Sequence, residues 1–256
     1  MSPNAHRLAT IAQRFDGPLP DPAEGIFETT LVVNGKALEV DAHLARLESS
    51  LDALYGLPLP AGAQALIADA AADTQLGRLR LTVVPEAGAP MPSVRVAAVE
   101  RELVFPGWDR AVELAPVAVP GGIGAHKWAD RRLLERAEAE VGPAVPLVVD
   151  SDGALLEGSR ASLFLVRDGT VITPPTDGRL LPGITRAQAI AVARDLGIEV
   201  REEPVGADDL ADADEAFLTG GVRGVERVRR CVGVSEWDSD EVTARVAAEL
   251  RRMWLG

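Results

Sequence analysis

Three short segments carry side chains whose types and spacing could do chemistry. Lys127 stands in GGIGAHKWADRRLLERA, between a glycine-rich approach and an amphipathic stretch. Thirty residues later, LLEGSRASLFLV places Glu157 at the end of a strand-like run. In LPGITRAQAIAVARDLG, Pro182 and Gly183 force a turn, and Ile184 and Thr185 lead into a helix. A lysine that loses its hydration has a lowered pKa, and its neutral amine is a nucleophile toward carbonyl carbon. A helix start with free N–H groups and a hydroxyl attracts an oxyanion. Taken singly, each has a plain reading: a surface lysine, a rim carboxylate paired with Arg160, a threonine cap. Taken together they are the parts that pyridoxal 5'-phosphate asks of a protein, namely a Schiff-base lysine, a carboxylate for the ring nitrogen and a phosphate cradle.

Further candidates are weaker alone. Thr219-Gly220-Gly221 offers exposed backbone amides at a strand end. Arg46 lies off the apolar face of its helix, so it is either a surface charge or a cation aimed at a phosphate. Thr29 and Thr30 suit a strand without any function. Arg223 and Arg160 are candidates for a substrate carboxylate. GGIGAHK is not a Walker loop, because His126 precedes the lysine and Trp128 follows it, and it lacks the third glycine of a dinucleotide fingerprint. There is no G-x-S-x-G elbow and no His/Cys/Asp spacing for a metal.

Positioning these groups takes a sizeable fold, and 256 residues with 47% hydrophobic content supply one. Aromatics are only 4%, so small aliphatics fill the core. The formal net charge of −13 argues against nucleic acid or an anionic membrane as partner and requires any anion site to be built locally. The single cysteine, Cys231, excludes an intrachain disulfide, fits a reducing, cytoplasmic setting, and reads as a small buried hydrophobe. The first twenty residues lack an apolar signal region, no stretch is apolar enough to span a bilayer, and the first dozen or so are expected to be loosely ordered.

Strand-like runs fall at residues 25–34, closed by an Asn34-Gly35 turn with 37–40 returning, and at 77–84, 93–100, 111–119, 145–150, 154–157, 162–166, 171–173, 198–202, 216–219 and 226–232. Helical spacing marks a helix capped by Asp41 and running to Leu57, and others at 63–72, 127–141, from Thr185 to Gly197, and 239–254. The irregular alternation with hairpins is α+β. Pro106 and Gly107 mark a boundary near Phe105, giving a smaller domain over 1–105 and a larger one over 106–256.

In order, GIFETT, HLARLESSL, the HK of Lys127, LLEGSRASLFLV, LPGITR and FLTGGVRGV resemble the class IV aminotransferase family, the fold type IV pyridoxal-phosphate enzymes, from Gly25 onward. The resemblance implies a smaller N-terminal α/β sandwich, a larger C-terminal mixed sheet or pseudo-barrel with helices, and a homodimer. It implies Lys127 as Schiff-base lysine and proton shuttle and Glu157 as partner of the pyridine nitrogen. Arg46, Ile184, Thr185, Gly220 and Gly221 become phosphate contacts, and Leu181 packs under the ring. Relatives often carry a hydroxyl residue where this chain has Gly221. Many aminotransferases of the family have a tyrosine five residues after the lysine, where Arg132 stands, and Thr29 matches a threonine that assists the lysine in the family's lyases. The expected activity is therefore that of a 4-amino-4-deoxychorismate lyase acting on a small amino substrate and releasing pyruvate and 4-aminobenzoate for folate synthesis. The alternatives are a D-amino-acid, branched-chain or R-amine aminotransferase, or a weakly catalytic pyridoxal-phosphate-binding protein.

Overall fold

A computed structural model describes residues 2–15, 17 and 19–256. The elements in chain order begin with α1 (Pro3–Ile11), β1 (Gln13–Arg14), β2 (Ile26–Val33), β3 (Lys36–Ala37), α2 (Val40–Tyr55), α3 (Ala63–Ala71), β4 (Leu76–Glu86), β5 (Ala89–Ala98) and β6 (Val112–Ala118). They continue with α4 (Arg132–Val141), β7 (Val145–Val149), β8 (Leu155–Gly158), β9 (Ala161–Arg167), β10 (Thr170–Thr173) and α5 (Ile184–Asp195). The last are β11 (Val200–Glu202), α6 (Ala207–Asp212), β12 (Glu215–Gly220), β13 (Gly224–Cys231), β14 (Ser235–Glu236) and α7 (Glu241–Leu255).

The first sheet runs β3-β2-β4-β5, all antiparallel, and β5, with Pro90 and Pro92, is its outer strand. The period of two in β2 sends Ile26, Glu28, Thr30 and Val32 to one face and Phe27, Thr29 and Leu31 to the other. Ile26 and Val32 bury against Leu44, Leu47 and Leu51 of α2 and Ile67 of α3. Leu31 instead joins the core that holds Phe164, Phe217 and Leu250. In the second sheet, β6, β7, β8, β9, β12 and β13 are paired in that order, and a parallel β13–β6 pairing returns the path to its start. This is the mixed α+β, barrel-like architecture expected. Closure removes free edges. The filling is mostly aliphatic, with Leu114, Leu147, Leu163 and Leu218 fully buried, while the stacked pair Phe164 and Phe217, 4.8 Å between ring centroids, lies in the separate core with α5 and α7.

Several expectations are corrected. No helix starts at Lys127: α4 begins at Arg132, because residues 126–129 are pulled into extended contact with β2. Asp130 ends this segment, accepting from the N–H groups of Asp21 and Arg132. Asp41 is not the cap of α2. Glu39 holds that position in a left-handed conformation without a side-chain bond, and Asp41 sits in the first turn. The return strand is only Lys36–Ala37. The N-terminal residues are ordered as α1: Ser2 caps it, Pro3 opens it, and Leu8 is buried in the barrel core. The same core meets α6, a short helix the periodicity did not reveal. Cys231 is buried as expected, which pushes its thiol up to about 12.

Because Phe217 has no exposed surface, Phe217→Ala is expected to lower unfolding free energy by about 3–5 kcal/mol. Chemical denaturation of both proteins measures the difference.

Candidate active site

The lysine is held through its own backbone. Lys127 O accepts from Phe27 N at 2.8 Å, Ala129 N donates to Gly25 O at 2.9 Å, and Ile26 and Trp128 form a β-bridge. These bonds hold the peptide of Lys127 against the edge of β2 opposite β4, and Nζ lies 4.8 Å from the centre of the Phe27 ring. The glycine-rich approach is fixed from behind. Gly121 N donates to Asp150, Asp150 pairs with Arg179 at 3.0 Å, and Gly124 N donates to Arg179 O. Gly122 has φ +71°, and a β-carbon there would lie 2.1 Å from Arg179 O, so no side chain fits.

Nζ opens into a cavity of about 350 Å³ between the first sheet and the barrel. The candidate cofactor and substrate residues line it, namely Thr29, Arg46, Lys127, Glu157, Arg160, Leu181, Ile184, Thr185, Gly220, Gly221 and Arg223, whereas Thr30 turns away and bonds Leu38 O. Glu157 is at the end of β8, buried, and accepts only a long 3.3 Å bond from Leu181 N. Burial pushes its carboxyl up from the usual 4.5 to about 8, although the Leu181 N–H and the cations nearby, Lys127 first, act the other way. Burial in the same walls, reinforced by Arg46, pulls the Lys127 ammonium down from 10.5 to about 8. An unpaired charge is costly in such surroundings, so burial draws each group toward its neutral form.

The α5 helix starts at the cavity wall with Gly183 as its cap residue and no side chain bonding its first N–H groups. Thr185 therefore is not the cap but the second helical residue, and it is buried. Open amides, the helix dipole and a hydroxyl converge as an oxyanion site requires. Opposite, Gly221 lies so close to β2 that a β-carbon would meet Thr29 O at 2.8 Å. Two hydroxyls at the cavity, Thr29 Oγ1 and Thr219 Oγ1, are buried without a partner among the described residues. Orphaned buried hydroxyls are rare and fit a site built for a polar ligand.

Three things were not read from the sequence. Arg78 and Arg80, alternate residues of β4, also line the cavity, Arg80 with Cζ 4.2 Å from the Phe27 ring centre. Neither forms an ion pair among the described residues, and Arg80 is pulled below its ordinary value by burial first and then by Arg78 and Arg131, with Glu135 acting the other way. Arg131 lines the cavity as well, tied to Ser159 O and Glu138. The third is Glu28, which grips Arg46 and His43. The two substrate candidates separate here: Arg223 is paired with Glu226 at 2.8 Å, whereas Arg160 is exposed and without a partner among the described residues. Arg132, at the position of the relatives' tyrosine, points to solvent and pairs with Asp130 and Glu24.

A family model described as amino-transferase class IV matches residues 25–231. The chain belongs to the class IV aminotransferase family. Its members are pyridoxal-phosphate-dependent enzymes, and the buried amine, buried carboxylate, uncapped helix start and orphaned hydroxyls fit that cofactor. The branched-chain-amino-acid aminotransferase of Escherichia coli (strain K12) is 37% identical over 152 residues, 58% of this chain and 48% of that protein. This chain thus spans about half the length of the first relatives it matches. Among solved structures, a hypothetical aminotransferase from Mycobacterium tuberculosis in its PLP-bound form shares 26% identity with a TM-score of 0.77, covering 91% of this chain and 92% of that one. A 4-amino-4-deoxychorismate lyase from Pseudomonas aeruginosa shares 27% identity, again with a TM-score of 0.77 and coverage of 91% and 92%. Among the described residues no helix is long and apolar enough to cross a membrane, and no group of His, Cys, Asp and Glu is arranged to hold a metal.

The raised carboxyl of Glu157 makes a pH prediction for this family member without its cofactor. A folded-state pKa above the unfolded one stabilises fully below pH 4.5 and loses that contribution as pH climbs to about 8. Glu157→Gln has no proton to lose. Wild type is expected to lose stability relative to Glu157→Gln by on the order of 1 kcal/mol per pH unit across this window. Thermal unfolding of the two cofactor-free proteins from pH 5 to 8 measures it, and parallel curves contradict it.

Proposed function

We propose that the chain is a 4-amino-4-deoxychorismate lyase-like enzyme, converting that substrate to 4-aminobenzoate and pyruvate. The observation that carries the reading is Thr29 Oγ1, a buried hydroxyl with no protein partner in the cavity that holds Lys127. Pyridoxal phosphate supplies the electron sink for a carbanion beside the substrate nitrogen. Glu157 would face the ring nitrogen and keep it protonated, Leu181 would pack under the ring, and Ile184, Thr185, Gly220, Gly221 and Arg46 would hold the phosphate. Lys127, whose pKa burial brings down to about 8, reaches the free-amine form far more readily than an exposed lysine and is suited to take the proton from the ring carbon that carries the amino group. As the ring becomes aromatic, the carbon–oxygen bond to the enolpyruvyl group breaks. Thr29 gives its hydroxyl proton to the departing group, which leaves as pyruvate, and is reprotonated by the Lys127 ammonium.

The substrate carries two carboxylates, and the cavity offers cations to receive them. Arg78, Arg80 and Arg160 make no ion pair among the described residues, with only Glu135 acting on Arg80 from a distance, so a dianion would find them available. Arg223, half committed to Glu226, is the weaker of the candidates named from sequence. Support for the lyase also comes from Arg132, which leaves the site without the tyrosine of many aminotransferases. The reading extends to a cytoplasmic homodimer with a domain junction near Phe105, supported by the resemblance and by the lone, buried Cys231. A second reading, an aminotransferase, is favoured by the 37% identity to the E. coli branched-chain enzyme.

Incubation with aminodeoxychorismate is expected to give fluorescent 4-aminobenzoate and equimolar pyruvate without a keto acid. Turnover that depends on a keto acid instead supports the aminotransferase, and activity in neither assay overturns both. Thr29→Val is expected to lose about 10²–10³ in kcat, while Thr29→Ser keeps most of it. Arg80→Gln is expected to raise KM about 10–100-fold with a smaller change in kcat, as loss of one charge-assisted carboxylate contact requires. Steady-state kinetics of the three variants check both statements.

A further inference from the structure

Glu28 is a carboxylate placed beside a site meant for an anion, and the proposed reaction gives it nothing to do. It is 4% exposed and sits on the face of β2 that meets α2. Oε1 accepts from Arg46 Nε at 2.8 Å and Oε2 from Arg46 Nη2 at 2.6 Å, the two-pronged geometry that fixes a guanidinium in rotation as well as position. His43 Nδ1 is 2.7 Å from the same Oε2. Burial alone would raise the carboxyl, but the bonds from His43 and Arg46 hold it down at about 2, so it is ionised. Arg46 Nη1 reaches the other way, donating to Pro182 O at 2.7 Å in the turn before α5. Three of the five guanidinium N–H groups are thus spent on orientation, and the rest remain for an oxyanion.

His43 has a matching place on the opposite side. Its ring lines the cavity, and Cε1 lies 4.0 Å from where a β-carbon of Gly221 would stand. That β-carbon is excluded by Thr29 O, so residue 221 contributes no side chain and the imidazole borders the space instead. The charges also balance around Lys127. Arg46 lowers its pKa and Glu28 raises it, so Glu28 shields the amine from the neighbouring guanidinium.

We propose that Glu28 is a positioning residue that, braced by His43, locks Arg46 into a preformed phosphate donor, which takes the place of a hydroxyl on the 220–221 loop. The proposal rests on pyridoxal phosphate being the cofactor. Its test compares pyridoxal phosphate with pyridoxal, which has the same aldehyde and ring but no phosphate. Affinity for each is read from the absorbance band of lysine-bound pyridoxal in wild type, Glu28→Gln and His43→Gln. In wild type, pyridoxal phosphate is expected to bind much more tightly than pyridoxal. Glu28→Gln is expected to weaken pyridoxal phosphate at least tenfold and leave pyridoxal unchanged, and His43→Gln to weaken pyridoxal phosphate severalfold with the same selectivity. Should Glu28→Gln fail to fold, His43→Gln decides. Unchanged affinity for pyridoxal phosphate, or equal loss for both aldehydes, overturns the proposal and leaves the cofactor reading intact. A wild-type protein that takes up neither aldehyde overturns the cofactor reading, and the proposal with it.

Discussion

The hydrogen bond from Phe27 N to Lys127 O is the constraint on which the rest of the site depends. It joins a strand of the first sheet to a loop of the barrel, and the side chains around it follow from strand geometry. With the Lys127 peptide fixed there, Nζ must lie over Phe27, and the next residue on that face of β2 is Thr29. The residue between them, Glu28, must turn the other way toward α2, where it finds Arg46 and His43. One short strand therefore delivers an apolar floor, a hydroxyl and a structural anion to three different jobs.

Electrostatics set the second condition. A chain with net charge −13 surrounds a cavity rich in arginine. Inside, water is too scarce to screen, so an amine and a carboxyl that would be fully charged outside are both drawn toward neutrality. Guanidiniums resist that pull because their intrinsic pKa is so high, and they accumulate as positive charge facing inward. The arginines of the lining thus gather positive charge in one place on a chain that is acidic as a whole.

Much of this was legible in the residues. The Asn34-Gly35 turn and the helical spacing of α2 are local signals, and local signals survive folding. Lys127, Glu157 and Thr185 stood out because their surroundings were unusual for their types. What failed was context. The heptad-like run after Lys127 reads as helix to its first residue, but a backbone bond to a strand a hundred residues earlier overrides it. Arg78 and Arg80 look like ordinary exposed strand residues until β2 is laid beside β4, with Thr29 opposite Arg80. Glu28 needed a helix face for a partner, and α1 carried Ser2-Pro3, a start signal hidden by its nearness to the terminus.

The outer strand of the first sheet has a consequence of its own. β5 bears proline at two alternate positions, Pro90 and Pro92, and proline is tolerated in a ladder only where its missing N–H would have pointed away from the neighbour. An incoming extended segment would find that rim short of donors. Growth of the four-stranded layer by strand addition at this rim is thereby discouraged, and contact made there falls to side chains.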